Sequence, residues 1–303
     1  MDFANPPLGK DSLLLGNFAM STQAMDKRPL EYLSHHYEPL PKRPTGRRGN
    51  PGAIRILRLF PSTYDNPQID SELITPTEDS EGNISPTKPY KALSWCWGTS
   101  GRTSYIRITK GEKSYAKYVA PNLFAALRAL CHHQKFRYLW VDAICIDQDD
   151  LNEKNQQVEM MDEIYGNAAR VCIWLGEAEE SSTIAFKFIN NEVLKLQNFN
   201  DLCERPETSP KRRALLELMQ RDWFSRQWVV QEIALARSAV IYCGKDEISW
   251  NKFVVAVELF VEVETATHRL SEVMKKDPKY YHVAGWFEYV SALGASLLVD
   301  ATS

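Results

Sequence analysis

The sequence predicts an α/β domain of three layers, in which helices cover both faces of a mostly parallel sheet. Short apolar runs alternate with amphipathic helical patterns between residues 90 and 243. Two of these runs, at 138–146 and 170–175, are almost unbroken, which is typical of strands buried on both faces. The length of 303 residues allows one large domain or two small ones, and no internal repeat is visible.

The first 50 residues are predicted to form a partly irregular arm. Six prolines interrupt this segment, and basic residues cluster at 42–48. One short helix is expected near residues 30–34. The basic cluster suits a contact with a partner or a phosphate, although a solvated linker is the simpler interpretation. We therefore divide the chain into an arm at 1–50, a domain at 51–264 and a helical extension at 265–303.

Periodicity and turn residues place the elements of the central domain. Pro121 suits the first turn of a helix whose apolar residues recur on one face. Asp150 and Glu153 match a capping pattern, and the helix they begin is expected to turn Val158 inward. Residues 61–89 are expected to form a long loop with room for one short strand, and 197–212 a surface excursion. In chain order, the strands are predicted at 53–59, 90–95, 105–108, 138–146, 170–175 and 238–243, and the remaining helices after Ser182, over 221–237 and from Trp250 to about Glu264.

Composition restricts the classes of function. The net charge of −3 provides no basic field for nucleic acid or an anionic membrane. None of the six cysteines forms a C-x-x-C pair or has the histidine spacing of a zinc site, and Cys145 and Cys172 are expected to be buried thiols. The chain begins without a signal pattern and contains no apolar run long enough for a membrane span. These features predict a soluble, cytoplasmic protein.

Several common catalytic motifs are absent from the sequence. It contains no G-x-x-x-x-G-K-[ST], no G-x-G-x-x-G and no G-x-S-x-G. This weighs against P-loop enzymes, kinases, classical dehydrogenases and α/β-hydrolases.

Polar and aromatic residues follow several predicted strands, where ligands bind in open parallel sheets. Each has a structural alternative: Ser94 as a small residue in a tight strand end, the tryptophans as a plug of the sheet edge, and the aspartates as caps of loops or of the next helix. These alternatives remain open at this stage. The candidates are Ser94, Trp95, Trp97 and Gly98 after one strand, and Asp142, Asp147 and Gln148 after another.

The segment 221–237 is the most informative part of the chain. On a helix, Trp228 and Glu232 are neighbours one turn apart, so an indole and a carboxylate share one face. That pair suits a flat heterocycle attached to a sugar that develops positive charge. From the residues alone, the simpler interpretation is a core tryptophan and a helix carboxylate that is solvated or paired with Arg226 or Arg237.

Six blocks of sequence resemble the heterokaryon-incompatibility (HET) domain of filamentous fungi, in order from about residue 54 to 262. They are 90–98 (YKALSWCWG), 121–128 (PNLFAALR), 139–148 (LWVDAICIDQ), 153–165 (EKNQQVEMMDEIY), 169–176 (ARVCIWLG) and the helix 223–236. Asp147 departs from the asparagine usual in the family, which adds negative charge and puts a neutral hydrogen-bonding role there in doubt.

The resemblance implies nonself recognition that triggers regulated cell death. HET domains are similar in turn to TIR domains, which implies a flavodoxin-like fold. Some TIR domains hydrolyse NAD with a glutamate in a pattern similar to Trp228-Val-Val-Gln231-Glu232-Ile. The resemblance thus implies that Glu232 is catalytic and that Trp228 and Gln231 contact the substrate, beside Ser94, Trp95, Trp97, Gly98, Asp142, Asp147 and Gln148.

The leading hypothesis is an NAD glycohydrolase, with NAD as substrate and no separate cofactor or metal. The rival is a non-enzymatic death-signalling module that acts by self-association. A mixed case, in which catalysis follows oligomerisation triggered by an unidentified activating protein, also remains open. The chain ends without a clear stop signal, so a fragment and a short natural terminus are both compatible with it.

Overall fold

The computed structural model of the protein describes residues 31–32, 37–41, 53–63, 66–77, 88–195, 209–226 and 229–267. Within these ranges, the side chains of 31–32, 209, 229–231 and 260–267 are outside the description. Most of the predicted arm and of the predicted helical extension also lies outside the described residues. The proposed domain boundaries stay a prediction.

The described part of the chain forms one mixed sheet covered by helices, which confirms the α/β class. Its order is β1-β6-β5-β3-β2-β7-β4-β8-β9-β10. The strands are β1 (Glu31–Tyr32), β2 (Ile56–Leu59), β3 (Asp70–Ile74), β4 (Lys91–Ser94), β5 (Ser104–Lys110), β6 (Lys113–Val119), β7 (Arg137–Trp140), β8 (Arg170–Trp174), β9 (Ala239–Cys243) and β10 (Asp246–Ser249).

Continuous parallel pairing is confined to the centre of this sheet. There β7, β4, β8 and β9 are all parallel to their neighbours. Outside it, β2 is antiparallel to both β3 and β7, and the hairpins β5–β6 and β9–β10 are antiparallel. Across the sheet the order of these four strands is β7-β4-β8-β9, so the second of them in the chain comes first, followed by the first, the third and the fourth. The winding therefore reverses between β4 and β8, and ligands commonly bind at the carboxyl ends of strands at such a point.

The helices pack on this sheet and confirm two of the predicted starts. Pro121 occupies the first turn of its helix, and the Asp150 carboxylate accepts hydrogen bonds from the backbone of Asn152 and Glu153. The helices are α1 (Pro121–Leu130), α2 (Asp142–Cys145), α3 (Leu151–Glu159), α4 (Met161–Asn167), α5 (Glu180–Asn191), α6 (Ser209–Met219), α7 (Val229–Ala234) and α8 (Trp250–Thr267), with 3-10 turns at Val193–Lys195 and Asp222–Ser225.

The predicted single helix over 221–237 is wrong. A 3-10 turn ends at Ser225, and Arg226 then adopts extended backbone angles (φ −83°, ψ 128°) before α7 begins at Val229. The reason is packing: the two aromatic residues of the turn are buried, with Trp223 edge-on to Trp250 and Phe224 stacked on Phe253. This contact anchors the segment in the core before α7 starts.

Three further predictions of local structure need correction. The strand expected at 138–146 ends at Trp140, because residues 142–145 form one helical turn in which the amide of Cys145 bonds to the carbonyl of Val141. The helix that starts after Asp150 is interrupted at Met160, and Val158 is 47% exposed rather than inward. Residues 31–32, placed in a helix, form a strand beside β6.

The remaining findings concern two strands and a helix that were not predicted, two cysteines and one helix cap. β6 and β10, for which no strand was predicted, pair with the strands before them, and α6 begins within the expected surface excursion. Cys145 and Cys172 are buried free thiols, as expected. Ser249 caps α8, since its hydroxyl accepts a hydrogen bond from the backbone of Lys252.

Candidate functional site

The carboxyl end of β4 carries a buried hydroxyl at the centre of a polar network. Ser94 is 1% exposed and donates its hydroxyl proton to the Glu232 carboxylate. The same oxygen accepts a hydrogen bond of 2.7 Å from the indole nitrogen of Trp223. Strand β4, the 3-10 turn and α7 are thereby joined through a single side chain.

Glu232 is a buried carboxylate on α7. It is 3% exposed, so its charge is largely removed from water. Burial raises the pKa of Glu232, while the nearby Arg226 and the hydrogen bond from Ser94 oppose that rise. A carboxyl group whose ionisation is set by its protein neighbours rather than by water is a frequent feature of active sites.

Arg226 is the cation of this network. Its Nη2 lies 3.5 Å from Oε1 of Glu232, and its Nη1 donates a 2.7 Å hydrogen bond to the backbone carbonyl of Trp95. This confirms one of the two partners considered for Glu232. The other, Arg237, instead donates to the carbonyl of Gly166.

Asp142 holds two tryptophans of the loop after β4. Its carboxylate accepts hydrogen bonds from the indole nitrogens of Trp95 at 2.9 Å and Trp97 at 2.7 Å, and from the backbone of Ala143 at 2.7 Å. Burial raises the pKa of Asp142, whereas these bonds lower it. The two rings stack with centroids 5.7 Å apart. Because Trp95 is buried and Trp97 is 40% exposed, Trp97 presents an indole at the protein surface.

The next two predicted site residues stabilise the loop before α3. Gln148 donates its amide to the backbone carbonyl of Asp142 at 2.9 Å. The Asp147 carboxylate accepts from the backbone of Asp149, and its own amide donates to Glu153. These bonds match the loop-capping alternative, while a binding role for either side chain stays a prediction.

Two cavities border the Ser94 network, one through Trp223 and the other through Glu232. The first, which we call the strand-end cleft, has a volume of about 590 Å³ and opens at the carboxyl ends of β4 and β8. The second, the helix-side cavity, has a volume of about 420 Å³ and lies between α3, α4 and α7. The cleft is lined by residues that include Cys96, Gly98, Asn122, Trp174, Glu179 and Trp223, and the cavity by Val158, Glu159, Met161, Asp162, Tyr165, Glu232, Ala234 and Leu235.

The predicted site residues are therefore only partly brought together. Ser94 and Glu232 are in direct contact, and Trp95 is joined to Glu232 through Arg226. Gly98 lines the strand-end cleft, whereas Glu232 lines the helix-side cavity.

The helix that carries Glu232 leaves two predictions open. Trp228 lies outside the described residues. Gln231 belongs to α7, but its side chain is not described. The pairing of an indole with the carboxylate one turn away stays a prediction.

Sequence reasoning missed Trp223 and Tyr165. Trp223 lies in the most informative segment, 221–237, but nothing in the sequence indicates its contact with Ser94. The Tyr165 hydroxyl donates to the carbonyl of Leu93, one residue before Ser94, and burial raises its pKa with a further contribution from Glu232. No spacing signal links these positions, because the contacts join separate elements.

The residues of the network from Ser94 to Glu232 lie in a segment that matches a known protein family. Residues 90–232 match the family described as "Heterokaryon incompatibility protein (HET)". Over this segment, the chain resembles the HET family. All the side chains of the network lie within the matched residues, and Glu232 is the last of them.

One curated relative supports the same resemblance. The chain is similar to "Heterokaryon incompatibility protein 6, OR allele" of Neurospora crassa, with 29% identity over 247 residues. The match covers 69% of this chain and 35% of the relative, so the chain spans about a third of that protein's length. No solved structure matches the chain.

Two features are absent from the part of the chain that the structure describes. No group of three or more histidine, cysteine, aspartate or glutamate side chains is arranged to hold a metal ion there. Among the same residues, no helix combines the length and apolar character needed to cross a membrane.

Proposed function

We propose that this protein is an effector of fungal incompatibility and regulated cell death that cleaves the nicotinamide–ribose bond of NAD. The family match and the name of the Neurospora crassa relative support the incompatibility role. The chemistry is supported by the site itself.

The observation that carries the proposal is the position of Glu232. It is a buried carboxylate that lines a cavity, held by Ser94 on one oxygen and near Arg226 on the other. Apolar side chains of Val158 and Leu235 form other parts of the same wall. A mainly apolar cavity with a few fixed polar groups is the usual form of a small-molecule site.

This arrangement suits cleavage of an N-glycosidic bond to a cationic ring. Nicotinamide in NAD already carries a positive charge, so it leaves with the bonding electrons and needs no proton. The sugar then develops oxocarbenium character, which an adjacent carboxylate stabilises until water adds to the anomeric carbon and releases a proton. Glu159 and Asp162 also line the cavity and favour the cationic nicotinamide ring there, rather than the anionic pyrophosphate of NAD.

The topology of the sheet gives additional support. The order β7-β4-β8-β9 corresponds to the first four positions of the flavodoxin-like order 2-1-3-4-5, with β4 as the first strand. This favours the TIR-like fold that the sequence resemblance implies. Within it, Trp97 offers an exposed ring for stacking and Asp142 holds that ring in place.

The test is nicotinamide release from NAD by concentrated purified protein, followed by chromatography. Glu232→Gln keeps the size of the side chain and removes its charge, so we expect release to fall at least about 100-fold. Glu180→Gln is the matched control, because Glu180 is an exposed glutamate in the first turn of α5. Full activity in folded Glu232→Gln would reject the assigned role.

Self-association without catalysis is the second candidate function. Val158 and Leu235 are 47% and 50% exposed and lie beside the same cavity, which is a surface suited to a protein contact. Light scattering over a concentration series tests it, with Leu235→Asp as the variant. Oligomers that Leu235→Asp abolishes, in protein that releases no nicotinamide, would favour this candidate over catalysis.

A further inference from the structure

Arg226 connects the loop after β4 to the carboxylate of α7. We propose, on the basis of the function proposed above, that Arg226 is a positioning residue: it fixes the Glu232 carboxylate relative to Trp95 and balances the buried negative charge. This assigns a role in the proposed reaction to a side chain that the sequence offers only as one of two possible ion-pair partners of Glu232.

The geometry of the guanidinium group is the first argument. One nitrogen donates 2.7 Å to the carbonyl of Trp95, and another lies 3.5 Å from the Glu232 carboxylate. The Arg226 side chain is 25% exposed, whereas that of Glu232 is 4% exposed. A rigid planar fork reaches two acceptors at once, which a lysine ammonium on a flexible chain does less well.

The charges around Glu232 provide the second argument. Of the groups that act on its ionisation, Arg226 is the cation, Asp142 on α2 is a further anion, and Ser94 is a neutral donor. Tyr165 faces the same carboxylate from α4 with its pKa raised by burial. The remaining acids of the helix-side cavity are Glu159 and Asp162. Removal of Arg226 therefore leaves a buried carboxylate among anions and neutral groups.

Loss of Arg226 should change both the ionisation and the orientation of the Glu232 carboxylate. Without Arg226, the pKa of Glu232 rises further, because burial is no longer opposed by a nearby cation. Glu232 is then protonated over more of the pH range in which the protein would act, and its side chain is less well oriented. Both changes weaken its stabilisation of the positive charge that develops on the sugar. We therefore expect kcat to fall with little change in KM, since Arg226 pairs with Glu232 but is not one of the residues that line the helix-side cavity.

The experiment is the pH dependence of nicotinamide release between about pH 5 and pH 9. In Arg226→Gln, we expect the acid limb of kcat to move up by about one pH unit or more, and Arg226→Lys to recover part of that shift. Arg237→Gln is the matched control, because Arg237 is an exposed arginine that bonds to Gly166 and does not pair with Glu232. An unshifted limb in Arg226→Gln would overturn the inference.

A second readout is independent of catalysis. Urea unfolding across the same pH range is compared for the wild type, Arg226→Gln, Glu232→Gln and the double variant. We expect Arg226→Gln to lose stability as the pH rises and the double variant to lose much less. If the wild type releases no nicotinamide, the proposed function fails, but the unfolding data still decide whether Arg226 stabilises the Glu232 carboxylate. Additive effects of the Arg226 and Glu232 substitutions on stability would overturn the role proposed for Arg226.

Discussion

Ser94 donates its hydroxyl proton to the carboxylate of Glu232, although the two residues are 138 positions apart in the sequence. The contact joins the carboxyl end of a central strand to helix α7. It is completed by Trp223, which donates to the same hydroxyl oxygen. Ser94, Glu232 and Trp223 thus form one buried polar network, in which the Ser94 hydroxyl donates one hydrogen bond and accepts another.

The first prediction concerns the stability of the buried carboxylate. Burial raises the pKa of Glu232 above that of the unfolded chain. The contribution of protonated Glu232 to the free energy of unfolding is therefore fully present below the pKa of glutamate in the unfolded chain, about 4.3. This contribution is lost as the pH rises through the pKa of Glu232 in the folded protein. Because glutamine resembles the protonated acid, we expect Glu232→Gln to gain stability relative to the wild type as the pH rises above about 5.

Urea unfolding of both proteins at a series of pH values measures this difference. Glu180→Gln, on the exposed start of α5, serves as the control and should show little pH-dependent difference from the wild type. A Glu232→Gln variant that becomes less stable relative to the wild type with rising pH would show that Arg226 and Ser94 outweigh burial.

The second prediction concerns the hydroxyl at the centre of the network. Ser94→Ala leaves the Trp223 indole and the Glu232 carboxylate each without this buried partner, so we expect a loss of about 1–3 kcal/mol in the free energy of unfolding. Ser71→Ala is the control: Ser71 is equally buried, but its hydroxyl donates to one backbone carbonyl, that of Arg107. Its loss should be at most about 1 kcal/mol. Equal effects of the two substitutions would argue against a special role for Ser94.

The third prediction concerns a buried ion pair near α3. Arg55 is 1% exposed and donates to both oxygens of Glu153, at 2.5 and 2.9 Å. Glu153→Gln leaves a buried guanidinium without its counter-charge, and we expect a loss of about 3–5 kcal/mol, measured by urea unfolding. In the exposed pair of Arg213 with Glu217, Glu217→Gln should change stability by less than about 0.5 kcal/mol. A small effect at Glu153 would mean that water reaches Arg55.

The fourth prediction compares two hairpin glycines with similar backbone angles. Gly111 has φ +58° and no atom near an added Cβ, whereas at Gly244, with φ +56°, the Cβ would lie 2.6 Å from that of Ala178. Gly111→Ala adds backbone strain of about 1–2 kcal/mol. Gly244→Ala adds the same strain and a clash, so thermal unfolding should show the larger loss. Equal losses would indicate that the segment around Ala178 moves aside easily.

Much of the architecture could be predicted from local sequence. The β8 strand is a nearly unbroken apolar run, Pro121 suits the first turn of α1, and Asp150 caps α3 through its own carboxylate. Each of these signals lies within a few residues of the structure that it specifies. The same logic failed at 142–145, where a helical turn replaces the expected strand and places Asp142 against two indoles.

The sequence alone determined the α/β class and the resemblance to HET domains, and it directed attention to the segment that contains Glu232. The tertiary structure decided that Glu232 is buried, that Arg226 rather than Arg237 is its partner, and that this segment is broken at Arg226. The physical reason is the range of the interactions. Periodicity and capping act over one or two turns, whereas the environment of a carboxylate depends on strands and helices that meet only when the chain has folded.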